Sequence, residues 1–414
     1  MKPIPYGLQW VDQEDIAEVT LALRSDRITQ GPLVEKFEES IAALTGARFG
    51  VAFSSGTAAL HAACFAAGIA SGDEVITTPL TFVATPNAVV YQGGVPVLAD
   101  IHPETLNIDP AKILEQITPR TKAILPVHFA GLPCAMEPIY SLAREKGLTV
   151  IEDACHALGA EWTSCMGKRE RVGSCTHSDM TVFSFHPVKH VTTGEGGMVL
   201  TNREDFRDRL KLFRHHGIVK QGEAGEGASD EPWRCEMHFL GYNYRITDFQ
   251  CALGIRQLEK LERFLLRRDE IARAYDKAFA GLELVSPLWD RSQTRHAWHL
   301  YVVQLPLERF RVNRGTIFRL LQDAGLGVNV HYLPVHLHPY YQKKFSYRLG
   351  DYPVAERYYA RAITLPLFPK MTDEDVERVI ETVWDVFQTY SLPKSKEAIF
   401  VAPDQGGIGW RPAN

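Results

Sequence analysis

The chain has 414 residues, 45% hydrophobic and 23% charged, with a formal net charge of −5. That much apolar sequence can build a large core and a second, smaller unit. The mildly acidic balance, with no basic block interleaved with aromatics, argues against a nucleic-acid partner. The longest apolar stretch, residues 58–70, is too short to span a bilayer and contains His61, so it reads as a buried Ala-rich helix.

The start, MKPIPYGLQWVDQEDI, lacks the charged-then-apolar order of a secretory signal. No membrane association is expected, and the expected location is the cytoplasm. The seven cysteines form no CxxC and no zinc spacing, so no metal is expected. Cys165 and Cys175 flank a short basic segment and could meet across a loop, but free thiols in a reducing compartment are the expectation.

From residue 49 to 201 short β-rich runs alternate with helical patterns. Strands are predicted at 49–53, 74–78, 95–100, 122–128, 149–153, 180–185 and 198–201, with helices such as 57–67 and 138–146 between them. This alternation predicts an α/β domain with a mostly parallel, seven-stranded sheet. TVIED is apolar without alternation, as a strand covered on both faces should be. The Gly-rich acidic stretch 219–232 predicts a mobile loop. A helical stretch over 247–280 leads to a smaller α+β unit, with strands at 298–305 and 327–332 and helices near 316–324 and 373–390. The predicted division is 1–260 for the large domain (with an N-terminal arm at 1–32), 261–392 for the small one and 393–414 for a tail.

Four segments carry chemistry, and each follows a predicted strand. SSGTAALHAA (54–63) starts a helix, whose free first-turn N–H groups suit an anion. Gly56 lets the backbone approach a phosphate and Thr57 adds a hydroxyl; the alternative is a plain Ser/Thr cap. TPLTFVAT (78–85) puts Phe82 at a strand-to-helix turn, where its face could cover a planar ring or pack in the core. VIEDACHALGA (150–160) ends a buried strand in Asp153, a carboxylate that needs a cation. SFHPVKHVTTGEGG (184–197) presents Lys189 beside three glycines, after Ser184.

Together these supply what pyridoxal phosphate (PLP) needs. Thr57, Gly56 and Ser184 would take the phosphate, Phe82 the ring face and Asp153 the protonated ring nitrogen. His156 would reach the phenolic oxygen, or else is a packed histidine. Lys189 would be the Schiff-base lysine and the proton shuttle. In open α/β sheets ligands bind at the C-terminal strand edge, which all four segments share.

In this order the motifs resemble the DegT/DnrJ/EryC1/StrS family. The resemblance covers nearly the whole chain and implies a PLP-dependent transferase of fold type I, aspartate aminotransferase-like, acting on nucleotide sugars. In FLGYNYRITDFQCALGIRQLEKL (239–261) it implies that Asn243 reaches the cofactor phosphate of a neighbouring subunit, making a homodimer. Tyr6, DRITQGP (26–32), LFRHHGI and NVHYLPVH (329–336) resemble the branch that serves pseudaminic acid biosynthesis. That branch passes an amine from L-glutamate to C4 of a UDP-linked 4-keto-6-deoxy-N-acetylhexosamine. By this similarity Tyr6, Asp26, Arg27, Ile28, Thr29, Asn329, Val330, His331 and Tyr332 would line the sugar-nucleotide site. The Cys- and Arg-containing segment 162–171 and the tail depart from the family pattern.

Overall fold

Seven short apolar runs become one sheet in the computed structural model, which describes residues 2–220, 233–284 and 286–392. In chain order the strands are β1 (Phe49–Phe53), β2 (Glu74–Thr77), β3 (Val95–Leu98), β4 (Thr121–Leu125) and β5 (Thr149–Asp153). Beyond a hairpin of β6 (Glu161–Thr163) and β7 (Arg169–Arg171) come β8 (Met180–Ser184) and β9 (Gly197–Thr201). The sheet order is β1-β9-β8-β5-β4-β2-β3. Strands β3, β2, β4, β5 and β8 run parallel, while β9 is antiparallel to both β8 and β1. A double reversal leaves β1 pointing the same way as β8. The C-terminal ends of all the strands but β9 therefore open on one edge, where β9 begins.

Strands apolar on both faces need cover on both. The helices that lead up to and follow them are α1 (Gln13–Leu23), α2 (Pro32–Thr45), α3 (Gly56–Ala66), α4 (Ala84–Tyr91), α5 (Pro110–Gln116), α6 (Met136–Lys146), α7 (Glu204–Phe213), α8 (Asp248–Glu259) and α9 (Leu261–Phe279). Helices α3, α4 and α7 bury one face against Val51, Val75, Ala123, Ile151 and Val182. On the other face α2 and α8 pack on Ala52, Phe183 and Leu200, and α6 on Ile76, Ile124 and Val150. Alanines of α3 let it sit close to the sheet. Gly254 of α8 gives Phe37 of α2 its place: a Cβ there would stand 2.7 Å from the ring. A fully buried phenylalanine of this kind is worth about 1.5–3 kcal/mol.

A second core gathers Ile4, Tyr275 of α9, Tyr301 and Ile363. It involves α10 (Arg314–Asp323), α13 (Asp373–Tyr390) and the antiparallel pair β13 (Tyr301–Gln304) and β14 (Ala362–Leu365). Between α10 and β14 lie α11 (Pro339–Phe345) and α12 (Pro353–Arg361).

Several expectations need correction. The stretch 247–280 is two helices, α8 and α9, meeting at Lys260. The strand expected at 327–332 is an extended segment with one isolated bridge, Asn329 to Thr364, on the edge of β14 opposite β13. Segment 162–171 is the β6–β7 hairpin, joined through β6 by β12 (Thr294–Arg295). Cys165 is exposed and Cys175 buried, and all seven cysteines are free. Of the loop expected at 219–232, Val219 lies in β10 (Ile218–Lys220), which pairs with β11 (Cys235–Met237). Residues 221–232 and the tail at 393–414 lie outside the described residues.

Candidate active site

A cleft of about 530 Å³ opens at the C-terminal edge of the sheet. Tyr6, Gly56, Thr57, Phe82, Asp153, His156, Ser184, Lys189, Asn329, Val330, His331 and Tyr332 all line it.

One wall is the start of α3. Ser55 caps the helix, its Oγ accepting from the Ala58 N–H at 3.1 Å. The remaining first-turn amides have no intrahelical partner, which makes this end attractive to an anion. The turn is held tight by two glycines. A Cβ on Gly56 would lie 2.9 Å from Ser184 Cβ, and one on Gly197 would lie 2.4 Å from the Ser55 carbonyl oxygen. Gly56 thus allows the close packing of α3 on the end of β8, which brings Ser184 against the first turn of α3.

Asp153, buried at the tip of β5, accepts from the Thr85 hydroxyl at 2.6 Å and from the Cys155 N–H at 3.1 Å. A carboxylate has about four acceptor positions, so it retains capacity for a cationic N–H arriving from the cleft. Its neighbour Glu152 points to the opposite face, as strand alternation requires. There it accepts from Thr181 Oγ1 at 2.8 Å, from the Ser178 hydroxyl and from His128 Nε2 at 2.7 Å. The Cys134 N–H meets His128 Nδ1 at 2.9 Å, which leaves Nε2–H to face the carboxylate.

Lys189 is partly buried, with its Nζ 3.4 Å from His299 Nε2. Burial lowers its pKa below the ordinary lysine value, against the opposing pull of Cys155 and Asp153 and with help from Arg268. Burial, then Lys189, also hold His156 and His299 well below the usual imidazole range. His156 Nε2 meets Tyr332 Oη at 3.2 Å, while its buried Nδ1 has no partner. Phe82 is 56% exposed, with its ring 6.0 Å from that of Tyr332. It is no core residue but a face presented to the cleft.

The wall across from the sheet is residues 329–332 with Tyr6. His331 Nδ1 lies 2.8 Å from Thr364 Oγ1, its carbonyl accepts from Tyr358 Oη at 2.7 Å, and its ring is 5.4 Å from that of Tyr6. Asn329 Oδ1 accepts from the Val330 N–H at 2.7 Å.

Five expected site residues lie elsewhere. Asp26, Arg27, Ile28 and Thr29 are exposed and bridge to the start of α8, where the Asp248 N–H donates to the Ile28 carbonyl at 3.0 Å. Asn243 is also exposed, bridged to His215 of LFRHHGI. Gly31, His215 and Arg245, next to these segments, line a separate hollow of about 620 Å³. Thr85, which lines the cleft, and His299, which lies behind Lys189, are not marked by the motifs. Thr85 stands three residues past Phe82, one helical turn on, a spacing that points both to one side. His299 carries no local signal, since Lys189 is 110 residues away in sequence.

The donor set fits PLP. Asp153 has acceptor capacity for a ring N–H, the α3 turn suits a phosphate, and Phe82 offers a free aromatic face. The geometry suits an enzyme class that would hold a phosphorylated, protonatable ring against a lysine.

The chain belongs to the DegT/DnrJ/EryC1/StrS aminotransferase family, whose model matches residues 9–384. The fold is that of PLP-dependent aminotransferases, and the protein is a sugar aminotransferase of this family. It is 44% identical to the spore coat polysaccharide biosynthesis protein SpsC of Bacillus subtilis, over 92% of this chain and 97% of that one. Helicobacter pylori PseC, an aminotransferase involved in the biosynthesis of pseudoaminic acid, superposes with a TM-score of 0.84 at 31% identity, over 94% of this chain and 100% of that one. Spr1654 of Streptococcus pneumoniae, named as a sugar aminotransferase, matches in its PLP form with a TM-score of 0.85 at 29% identity, over 94% and 99%. Among the described residues no helix is long and apolar enough to cross a membrane.

Proposed function

We propose that this protein moves an amino group from L-glutamate to C4 of a UDP-linked 4-keto-6-deoxy-N-acetylhexosamine. The product would be UDP-4-amino-4,6-dideoxy-N-acetyl-β-L-altrosamine, for pseudaminic acid biosynthesis in the cytoplasm. The observation that carries the reading is the convergence of Lys189, Asp153, Phe82 and the α3 N-terminus on one sheet edge. Pyridoxal phosphate, when bound, supplies an electron sink for chemistry at an amine-bearing carbon. Asp153 would hold the ring nitrogen's proton and Phe82 would cover the ring. Thr57 and Ser184 would hold the phosphate with the α3 amides. Lys189, its amine eased toward neutrality by burial, would anchor the cofactor and carry the proton between donor and acceptor carbons. Tyr6 and Asn329–Tyr332 offer hydroxyl, amide and imidazole groups to sugar hydroxyls and diphosphate. The likeness to PseC supports the choice of sugar.

The protein is read as a homodimer in which Asn243 and residues 26–29 serve the partner's cleft. All of them are exposed and stand apart from their own cleft. The exposed Tyr91 ring lies 5.3 Å from His61, which bonds Tyr244 beside Asn243, so this face also carries uncovered apolar surface.

A second reading, transfer to another nucleotide-linked keto sugar, is favoured by the 44% identity to a spore coat polysaccharide protein. The deciding experiment gives the purified enzyme L-glutamate and either the UDP-linked 4-keto sugar or dTDP-4-keto-6-deoxyglucose. The UDP sugar should be aminated faster. Comparable or better turnover of the dTDP sugar would overturn the choice in favour of the second reading.

A further inference from the structure

Beside Lys189 sits a histidine that the chemistry above does not use. His299 is buried, and its backbone is anchored on both sides: its N–H donates to the Ala130 carbonyl at 2.9 Å and its carbonyl accepts from Arg268 at 3.4 Å. Its ring lies 4.3 Å from His156 and 5.8 Å from His190. Only one ring nitrogen is engaged. Nε2 faces Lys189 Nζ at 3.4 Å, and Nδ1 is buried without a partner.

That asymmetry fixes the tautomer. A proton on Nδ1 would be a buried N–H with no acceptor, which folded proteins avoid more strictly than a bare lone pair. A proton on both nitrogens would add a second cation beside buried Arg268, which has no carboxylate partner among its hydrogen bonds. The proton therefore belongs on Nε2, as a donor toward the lysine. An ammonium group has no lone pair to receive it, whereas a neutral amine does.

We propose that His299 is a positioning residue, whose Nε2–H holds the ε-amine of Lys189 in its neutral, nucleophilic form and aims it into the cleft. The inference rests on the reading of Lys189 as the cofactor-binding lysine. Other groups also face that amine: Asp153 and Cys155 from the end of β5, Arg268 from α9, His156, the adjacent His190, and His331 from the far wall. Asp153 favours the ammonium form, and His299 is the neighbour whose hydrogen bond opposes it.

The test is the pH dependence of covalent attachment of pyridoxal phosphate to the apoprotein, followed by absorbance, with the borohydride-trapped adduct mapped by mass spectrometry. His299→Phe keeps a ring against His156 and removes both nitrogens. His299→Gln restores an N–H donor. In the Phe variant the midpoint should move up by about one unit, and attachment below it should slow about tenfold. The Gln variant should stay close to wild type. A Phe profile that matches wild type or moves down would overturn the proposal, as would a Gln variant displaced as far as Phe. If His299→Phe does not fold by circular dichroism, His299→Leu takes its place in the same comparison. Absence of a Lys189 adduct in the wild type would instead sink the cofactor reading, so the two failures are separable.

Discussion

Glu152 and Asp153 are consecutive carboxylates at the tip of one buried strand, yet the regions they serve differ in kind. On the Glu152 side every polar group has found a partner, in a closed set of His128, Ser178, Thr181 and the Cys134 amide. On the Asp153 side partners run short. His156 and His299 each leave a buried nitrogen unpaired, Lys189 has one long contact, and Phe82 shows half its surface. The first arrangement holds the sheet end together, and the second keeps capacity for a ligand. Hydrogen-bond completeness thus separates a carboxylate with no acceptor to spare from one with room for a ligand, where burial does not.

Substitutions on the two sides should break this contrast in different currencies. Lys189→Ala should have the largest effect, removing the borohydride-trapped adduct and lowering transamination by on the order of 10²–10⁴-fold. A variant that still carried the adduct on another lysine would refute the assignment. Glu152→Leu strands an imidazole N–H and two hydroxyls, so denaturant titration should show a loss of about 3–5 kcal/mol. Asp153→Asn keeps the acceptor for Thr85, gives up the bond from the Cys155 N–H and loses the charge. It should lose only about 1–2 kcal/mol of stability, less than Glu152→Leu, while kcat/KM falls about 10²-fold, the scale of one strong electrostatic contact in a site. Phe82→Ala should do least, weakening pyridoxal phosphate binding by about 0.5–1.5 kcal/mol with unfolding unchanged, since the ring is already exposed.

Acidity sharpens the same comparison. Burial works against the Glu152 charge, but His128, Ser178 and Thr181 outweigh it, so its folded pKa lies below its ordinary value. Its contribution to stability is therefore complete above that ordinary value, about 4.3, and lost as pH falls through the lower folded one. In Glu152→Gln the stability profile should be flatter over that acid range. An unchanged profile would show that Glu152 is not ionised in the fold.

Much of this was legible in sequence because local signals sufficed. The runs that became sheet strands are apolar and bounded by turn residues, so alternation with helices gave the sheet and its working edge. Asp153, Lys189, Thr57 and Phe82 follow strand ends, and topology brings them together. His299 was invisible because its relation to Lys189 exists only after the second core docks on the sheet. The 327–332 run has strand composition but meets β14 through one residue. Residues 26–29 and Asn243 are not assembled with the cleft within one chain, which no local pattern could have revealed.

Arg268 of α9 donates to the carbonyls of Trp298, His299 and Leu367 at 3.0, 3.4 and 3.1 Å, and burial lowers its pKa to about 9. One side chain thus rivets α9 to two segments distant in sequence. The amides of Ala297, His299 and Leu300 donate to the Gly131 and Ala130 carbonyls, so with Arg268 holding the same loop from behind they should exchange with solvent only in openings that part it from residues 130–131, which makes the loop a fixed wall rather than a mobile rim of the site.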